Sequence, residues 1–299
     1  MTLQEALRRD VLLLSDGGMG TELQKLGLPL NTCGDAWCLT HPDRVLSVHR
    51  QYVDAGSALI STNTFSANRF ALAKHGLADK QAEIARAGAR IAHQAIAGHG
   101  WVLGSVGPSG ELLEPLGPVK PEDLRASLQV QIEALLDGGA DGILLETMTA
   151  LDEIAIALTV ARELQAPVVI VTAAFDPTRS GPRTMMGVRP EQLAKLAADE
   201  GADVVGANCG RISQEADFLL LIERMKSAAS LPLMLQPNAG QPEMQGSDIV
   251  YHCSPDELAG RMAQIAKQVR IIGGCCGSTP AHIRAMKERF NPATPSLGE

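Results

Sequence analysis

Cys275 and Cys276 are adjacent within Ile271-Ile272-Gly273-Gly274-Cys275-Cys276-Gly277-Ser278-Thr279-Pro280, directly after an apolar run. Neighbouring cysteines rarely bridge each other, because a disulfide needs a Cα separation and side-chain directions that successive residues of an extended chain do not offer. The flanking glycines permit a tight backbone in which both sulfurs face one point. Zinc needs more than two ligands, and Cys209 in Val204-Val205-Gly206-Ala207-Asn208-Cys209-Gly210 has the same setting, after an apolar run and before a glycine. Structural zinc sites are closed by four protein ligands, whereas catalytic sites commonly hold three and leave the fourth position to substrate. The expectation is therefore one zinc per chain on Cys209, Cys275 and Cys276, with one position open. The alternative is three buried thiols that behave as small apolar groups.

Three thiolates around a divalent cation leave the centre negative overall, a poor Lewis acid for making hydroxide compared with sites of neutral histidines. A thiol entering the fourth position would be deprotonated by the metal, and the electron-rich centre would leave its sulfur nucleophilic. The residue types thus point to alkylation of a substrate thiol.

These cysteines need elements to bring them together, and the chain supplies a repeated unit of apolar run, polar loop and amphipathic helix ending in glycine. The wording recurs at three helix-to-strand junctions: Asp54-Ala55-Gly56, Asp137-Gly138-Gly139 and Asp199-Glu200-Gly201, each followed by a small residue and an apolar run. Glycine there is a helix C-cap signal. The apolar runs predict strands at 11–14, 58–62, 101–105, 142–145, 168–174, 203–207, 232–236 and 269–272. Helical periodicity runs over 42–55, 80–97, 121–137, 151–164, 190–200, 214–228, 255–268 and 280–289, several segments opening on Pro or Asp. Such alternation predicts an α/β chain folded as a single (β/α)8 TIM barrel over 1–299, with a short tail at 291–299. A doubly wound open sheet is the alternative. In the barrel, active sites are built at the C-terminal ends of strands, and all three cysteines fall on that rim.

Hydrophobic content of 45% against 20% charged residues is that of a globular protein, and 3% aromatic means a core of Ala, Leu, Ile and Val. A formal charge of -8 without any basic run argues against nucleic-acid or membrane-surface partners. No apolar segment is long enough to be a signal peptide or a membrane span. A cytoplasmic location is expected, where a reducing environment keeps metal-binding thiols available.

The rim motifs extend over the whole chain: Asp16-Gly17-Gly18-Met19-Gly20-Thr21, Trp37 with His41-Pro42-Asp43-Arg44, Thr62-Asn63-Thr64-Phe65, Gly107-Pro108-Ser109-Gly110, Glu146-Thr147, Asn208-Cys209, Pro237-Asn238-Ala239-Gly240 and Gly274-Cys275-Cys276. In this order the chain resembles the homocysteine S-methyltransferase family, whose members are zinc-dependent (β/α)8 barrels. The resemblance implies that Cys209, Cys275 and Cys276 hold zinc, that Asp16 and Glu146 hold the homocysteine amino group, and that backbone amides around Gly17 and Gly18 receive its carboxylate. A cationic ammonium suits carboxylates within hydrogen-bonding reach, and a glycine turn lets amides approach an anion.

The donor expected from the resemblance is a free small molecule such as betaine or S-methylmethionine, a cation suited to aromatic faces; Trp37, Phe65 and Asn238 are the candidate donor residues. A methylcorrinoid carried on a partner protein is the other source of methyl, and a non-catalytic zinc-thiolate barrel is the reading from a different class. A homo-oligomer is left open. Cys33 and Cys38, spaced as C-x4-C, read as loop cysteines and Cys253 as a half-buried thiol. His49, His75, His93, His99, His252 and His282 read as surface or packing residues, and Met185-Met186 as loop packing over the barrel mouth.

Overall fold

In the computed structural model, which describes residues 1–246 and 248–292, eight parallel strands close into a barrel within a ring of helices. The strands are β1 (Leu13–Leu14), β2 (Leu59–Ser61), β3 (Trp101–Val106), β4 (Gly142–Met148), β5 (Val169–Ala173), β6 (Val204–Asn208), β7 (Leu233–Gln236), the antiparallel hairpin β8 (Glu243–Gln245) and β9 (Asp248–Val250), and the eighth barrel strand β10 (Ile271–Ile272). The ring closes where Ser15 bridges Leu59 and the Ala58 N–H donates to the Leu14 carbonyl at 2.7 Å. The barrel expected from the alternation of apolar runs and helices is therefore formed. Most of the tail expected at 291–299 lies outside the described residues.

The helices in chain order are α1 (Leu3–Leu7), α2 (Met19–Lys25), α3 (Trp37–Thr40), α4 (Pro42–Ala55), α5 (Arg69–Ala73), α6 (Gln81–Ile96), α7 (Pro121–Asp137), α8 (Leu151–Glu163), α9 (Pro190–Asp199), α10 (Glu215–Ala228), α11 (Pro255–Met262) and α12 (Pro280–Phe290). Proline opens α4, α7, α9, α11 and α12, where its missing N–H would have had no intrahelical partner. The three junction glycines Gly56, Gly139 and Gly201 all take positive φ, 109°, 96° and 75°; there a side chain would be strained and glycine turns the chain into the next strand. Strands β1, β2, β5, β7 and β10 are shorter than the apolar runs suggested, and the helix expected over 255–268 ends at Met262 before a 3-10 turn at Ile265–Lys267. Helices α1, α2, α3 and α5, of seven residues or fewer, are too short to show a period, and the β8–β9 hairpin carries no apolar run.

Strand alternation divides the core in two. Leu14, Ile60, Val102, Ile143, Val171, Val205, Leu235 and Ile272 face the helices in one cluster, whereas Leu13, Leu59, Leu103, Leu144, Ile170, Val204, Met234 and Ile271 fill the barrel together with Leu3, Ala6 and Leu7 of α1, which plugs its N-terminal end. Two residues further along most of these strands, and four along β6, the inward positions are Ser15, Ser61, Ser105, Glu146, Thr172, Asn208, Gln236 and Gly273. A polar layer thus caps the apolar barrel interior at the end where the loops gather. That position follows from the strand period of two, and it turns an apolar core into the floor of a cavity.

His49 on α4 is fully buried, and neither ring nitrogen has a protein partner. Burial holds its pKa down at about 4 against 6.5, so the native state keeps the ring neutral where an unfolded chain would protonate it. Stability is unaffected above about pH 6.5 and falls as pH drops towards 4, because only the unfolded state takes up the proton there; the loss between pH 7.5 and pH 4.5 is about 2–3 kcal/mol. Urea unfolding should show that His49→Met removes this share of the acid-side loss, and an identical pH dependence in variant and parent would refute it.

Candidate active site

The rim loops enclose a cavity of about 480 Å³ whose wall includes Asp16, Ser61, Ser105, Glu146, Cys209, Gln236, Cys275 and Cys276. Its floor is the polar layer.

Cys209 follows β6, and Cys275 and Cys276 follow β10, so two strands that flank β7 deliver the three sulfurs. All three lie within 4.8 Å of one another, and Cys209 Sγ is 3.9 Å from Cys276 Sγ. That is far beyond a disulfide bond and close to the ~3.8 Å edge of a tetrahedron with Zn–S bonds of about 2.3 Å. The donor set therefore fits a zinc ion in both chemistry and spacing. Cys209 has φ of 56°, a left-handed conformation uncommon outside glycine, and Gly210 beyond it has no room for a Cβ, which would stand 2.2 Å from the Phe175 carbonyl. Packed this closely, the thiols pull one another apart: hydrogen bonds from Cys275 and Cys276 hold the Cys209 thiol well below its ordinary pKa, and hydrogen bonding to Cys209 raises the other two. A cluster of this kind is short of positive charge.

Asp16 and Glu146 enter the same cavity from β1 and β4. The Ser61 N–H donates to Asp16 Oδ2 at 2.7 Å, and the Ser15 and Ser61 hydroxyls donate to Oδ1 at 3.2 and 3.3 Å. Glu146 accepts from the Ser105 hydroxyl and, at 3.1 Å, from Asn208 Nδ2. Asn208 is itself fixed, since its Oδ1 accepts from the Thr147 N–H and the Thr172 hydroxyl, each at 2.7 Å. The strand irregularity between Leu145 and Met148 and the positive φ of Thr147, 58°, accompany this placement; a β-branched residue is rarely left-handed without a structural demand. Burial is the main reason that both carboxyls are raised to about 7. A buried cation between them would restore their charge.

Gly17 and Gly18 line the cavity beside the cysteine loop. A Cβ on Gly18 would stand 2.9 Å from the Cys275 carbonyl oxygen, and one on Gly17 2.7 Å from Ser278 Oγ, so only glycine lets the two loops touch. The Gly18 N–H is already spent on Ser278. Amides without an intrahelical acceptor begin with the first turn of α2, where Met19, Gly20 and Thr21 also line the cavity. Tyr52, fully buried, bonds the Gly18 and Ser278 carbonyls at 3.2 and 3.0 Å and ties these loops to α4.

The expected donor residues separate. Phe65 stands at the cavity wall, 38% exposed. Trp37 does not line it: the indole packs in the core between barrel and helices, tilted 32° against His41 with ring centres 4.6 Å apart and the Arg44 guanidinium 5.0 Å from its own ring centre. Asn238 lies behind Cys209, donating to the Gly210 carbonyl at 2.9 Å, and is not a wall residue. Cys33 and Cys38 make separate contacts, Cys38 donating to the Asn63 carbonyl at 3.2 Å, and neither joins the metal-fitting trio. Ser15, Ser61, Ser105, Thr172 and Gln236 had no role from sequence; the signal that would find them is a polar residue ending each inward-facing apolar alternation.

The sequence profile described as homocysteine S-methyltransferase matches residues 13–290. The methionine synthase of Mycobacterium leprae is 33% identical over 99% of this chain, and that of Mycobacterium tuberculosis 32% over 91%. The chain spans about a quarter of the length of these curated relatives, 26% and 24%. Among solved structures, the oxidized form of the homocysteine methyltransferase MmuM from Escherichia coli superposes with a TM-score of 0.76 at 26% identity, over 94% of this chain and 97% of that one. Its metallated form gives 0.77 at 24% identity, over 95% and 99%. With the profile covering the barrel from β1 to α12, the chain belongs to the homocysteine S-methyltransferase family.

Proposed function

We propose that this barrel is a zinc-dependent S-methyltransferase that converts homocysteine to methionine with a small-molecule methyl donor. The observation that carries the reading is the placement of three sulfurs and two buried carboxylates around one cavity. Cys209, Cys275 and Cys276 would hold the zinc, which when bound supplies a positive charge that lowers the pKa of the substrate thiol. Asp16 and Glu146 hold the substrate ammonium by charge-assisted hydrogen bonds, and amides around Gly17 and the start of α2 receive the carboxylate. Fixing both ends of the amino acid aims its sulfur at the cysteine cluster. The thiol gives up its proton to solvent on binding, and a lone pair of the resulting thiolate forms the new S–CH3 bond as the bond from methyl to the donor heteroatom breaks and the donor leaves with that electron pair. Asn208 keeps Glu146 oriented, and the low-polarity surroundings strengthen the attraction between an anionic sulfur and a cationic donor.

The other reading of the methyl source is a corrinoid on a partner protein, and the likeness to methionine synthases over nearly the whole chain supports methionine as the product in either case. The loops around the mouth also expose Leu112, Leu116, Met185 and Met244, apolar side chains that a partner could cover. One barrel over 1–299 carries the binding functions in either case. No described helix is long and apolar enough to cross a membrane, and the unpaired thiols suit a cytoplasmic setting.

Zinc-loaded protein given homocysteine with betaine, S-methylmethionine or methylcobalamin in parallel separates these cases by the methionine formed. Turnover with either cation supports the small-molecule reading, and turnover with methylcobalamin alone supports the corrinoid one. No methionine from any donor contradicts the methyltransferase reading.

A further inference from the structure

Each sulfur of the cysteine cluster has a hydrogen-bond donor behind it. Asn208 Nδ2 stands 3.8 Å from Cys275 Sγ, 2.8 Å from Thr147 Oγ1 and 3.1 Å from Glu146 Oε2, so its two hydrogens are shared among three acceptors. Tyr251, next after β9, lays its ring on Gly277, where a Cβ would stand 2.1 Å from Tyr251 Cγ, and brings its hydroxyl to the Cys276 sulfur. Cys209 faces the Gly210 N–H and the amide of Asn238, which is held by its bond to the Gly210 carbonyl at 2.9 Å. Asn208, Asn238 and Tyr251 do not line the cavity, whereas all three cysteines do. The donors therefore stand on the protein side of the sulfurs, and a substrate sulfur arriving through the cavity comes from the other side.

The reaction gives that asymmetry a use. With the metal in place the site gathers four nucleophilic sulfurs, three from the protein and one from the substrate, around one methyl donor. A cysteine that attacked would form its own S–CH3 bond as the bond from methyl to the donor heteroatom broke, and the neutral thioether left behind would no longer offer the metal a thiolate. A hydrogen bond to a thiolate draws charge off the sulfur and lowers its nucleophilicity. We propose that Asn208, Tyr251 and Asn238 are positioning residues that damp the three cysteine sulfurs, so that a methyl donor in the cavity alkylates the substrate sulfur and spares the metal ligands. The inference rests on the zinc-dependent methyltransferase reading above.

The test is alkylation of the zinc-loaded full chain by iodomethane without homocysteine, with fragment masses assigning each added methyl to its cysteine. Iodomethane needs no donor subsite, so the outcome does not depend on which methyl donor the enzyme uses. Tyr251→Phe keeps the ring on Gly277 and removes the hydroxyl. It should methylate Cys276 about tenfold faster than the parent does, while Cys209 and Cys275 change by less than about twofold. Asn208→Leu should act in the same selective way at Cys275, by about three- to tenfold because its hydrogens are shared. Cys33, outside the cluster, is the internal reference and should react equally in parent and variants. A parent-like rate at the cysteine concerned in either variant would overturn the proposal. So would equal acceleration at all three cluster cysteines, which is the signature of lost zinc or loosened loops. A parent that takes up no zinc would overturn the metal reading itself, and this inference with it.

Discussion

Replacing Cys275 with alanine is expected to give a folded protein that holds no zinc and transfers methyl at least about 10³-fold more slowly, the factor that corresponds to some 4 kcal/mol of lost electrostatic stabilisation. Three ligands are the minimum for a site whose fourth position belongs to substrate, so two sulfurs cannot hold the ion against competition from solvent thiols. The main chain does not depend on this side chain. The Cys275 N–H donates to the Pro237 carbonyl at 2.8 Å, and the Cys275 carbonyl accepts from the Ser278 N–H at 3.1 Å, while the barrel interior and the helix layer are packed independently of the loop. Metal analysis, thermal unfolding and methionine formation measured on one preparation would check all three parts. Full zinc content in the variant would refute the assignment, and loss of the fold would show that the metal is structural.

Glu146→Gln is expected to lower kcat/KM for homocysteine by about 30- to 150-fold, the equivalent of about 2–3 kcal/mol for a hydrogen bond to a charged partner. The substitution removes the charge that faces the substrate ammonium. The glutamine can keep its carbonyl oxygen on Asn208 Nδ2 and turn its NH2 to the Ser105 hydroxyl, so what is lost is the charge. The variant should also discriminate less well between homocysteine and cysteine. Cysteine is one methylene too short to satisfy the ammonium site and the cysteine cluster together, and that penalty exists only while the ammonium site is intact. Steady-state kinetics with both thiols would show it, and an unchanged preference would remove Glu146 from the substrate site.

Much of this was legible in the chain because the barrel repeats its instructions. The Asp-x-Gly junctions at Gly56, Gly139 and Gly201 each mark the end of a helix by a residue that must take positive φ, and the proline starts mark the beginnings. The cysteines were legible because adjacent thiols between glycines after an apolar run are costly to keep, and barrel topology brings the ends of β6 and β10 to either side of β7. The place of Trp37 in the loop after β1 says nothing of which way the ring turns; α3 carries it inward, into the core cluster and off the cavity wall. Gln236 and the serines of the floor were missed for the opposite reason. Each is one polar residue closing an apolar strand, and its meaning emerges only when eight strands place those ends in one layer.

X-ray absorption at the zinc edge, recorded before and after homocysteine is added, tests most directly whether a substrate thiol is brought to a three-cysteine metal. Zinc surrounded by three sulfurs that become four on adding homocysteine, with no such change on adding the thiol-free analogue 2-aminobutyrate, is the result expected. A sulfur count that stays at three with homocysteine bound would contradict the account.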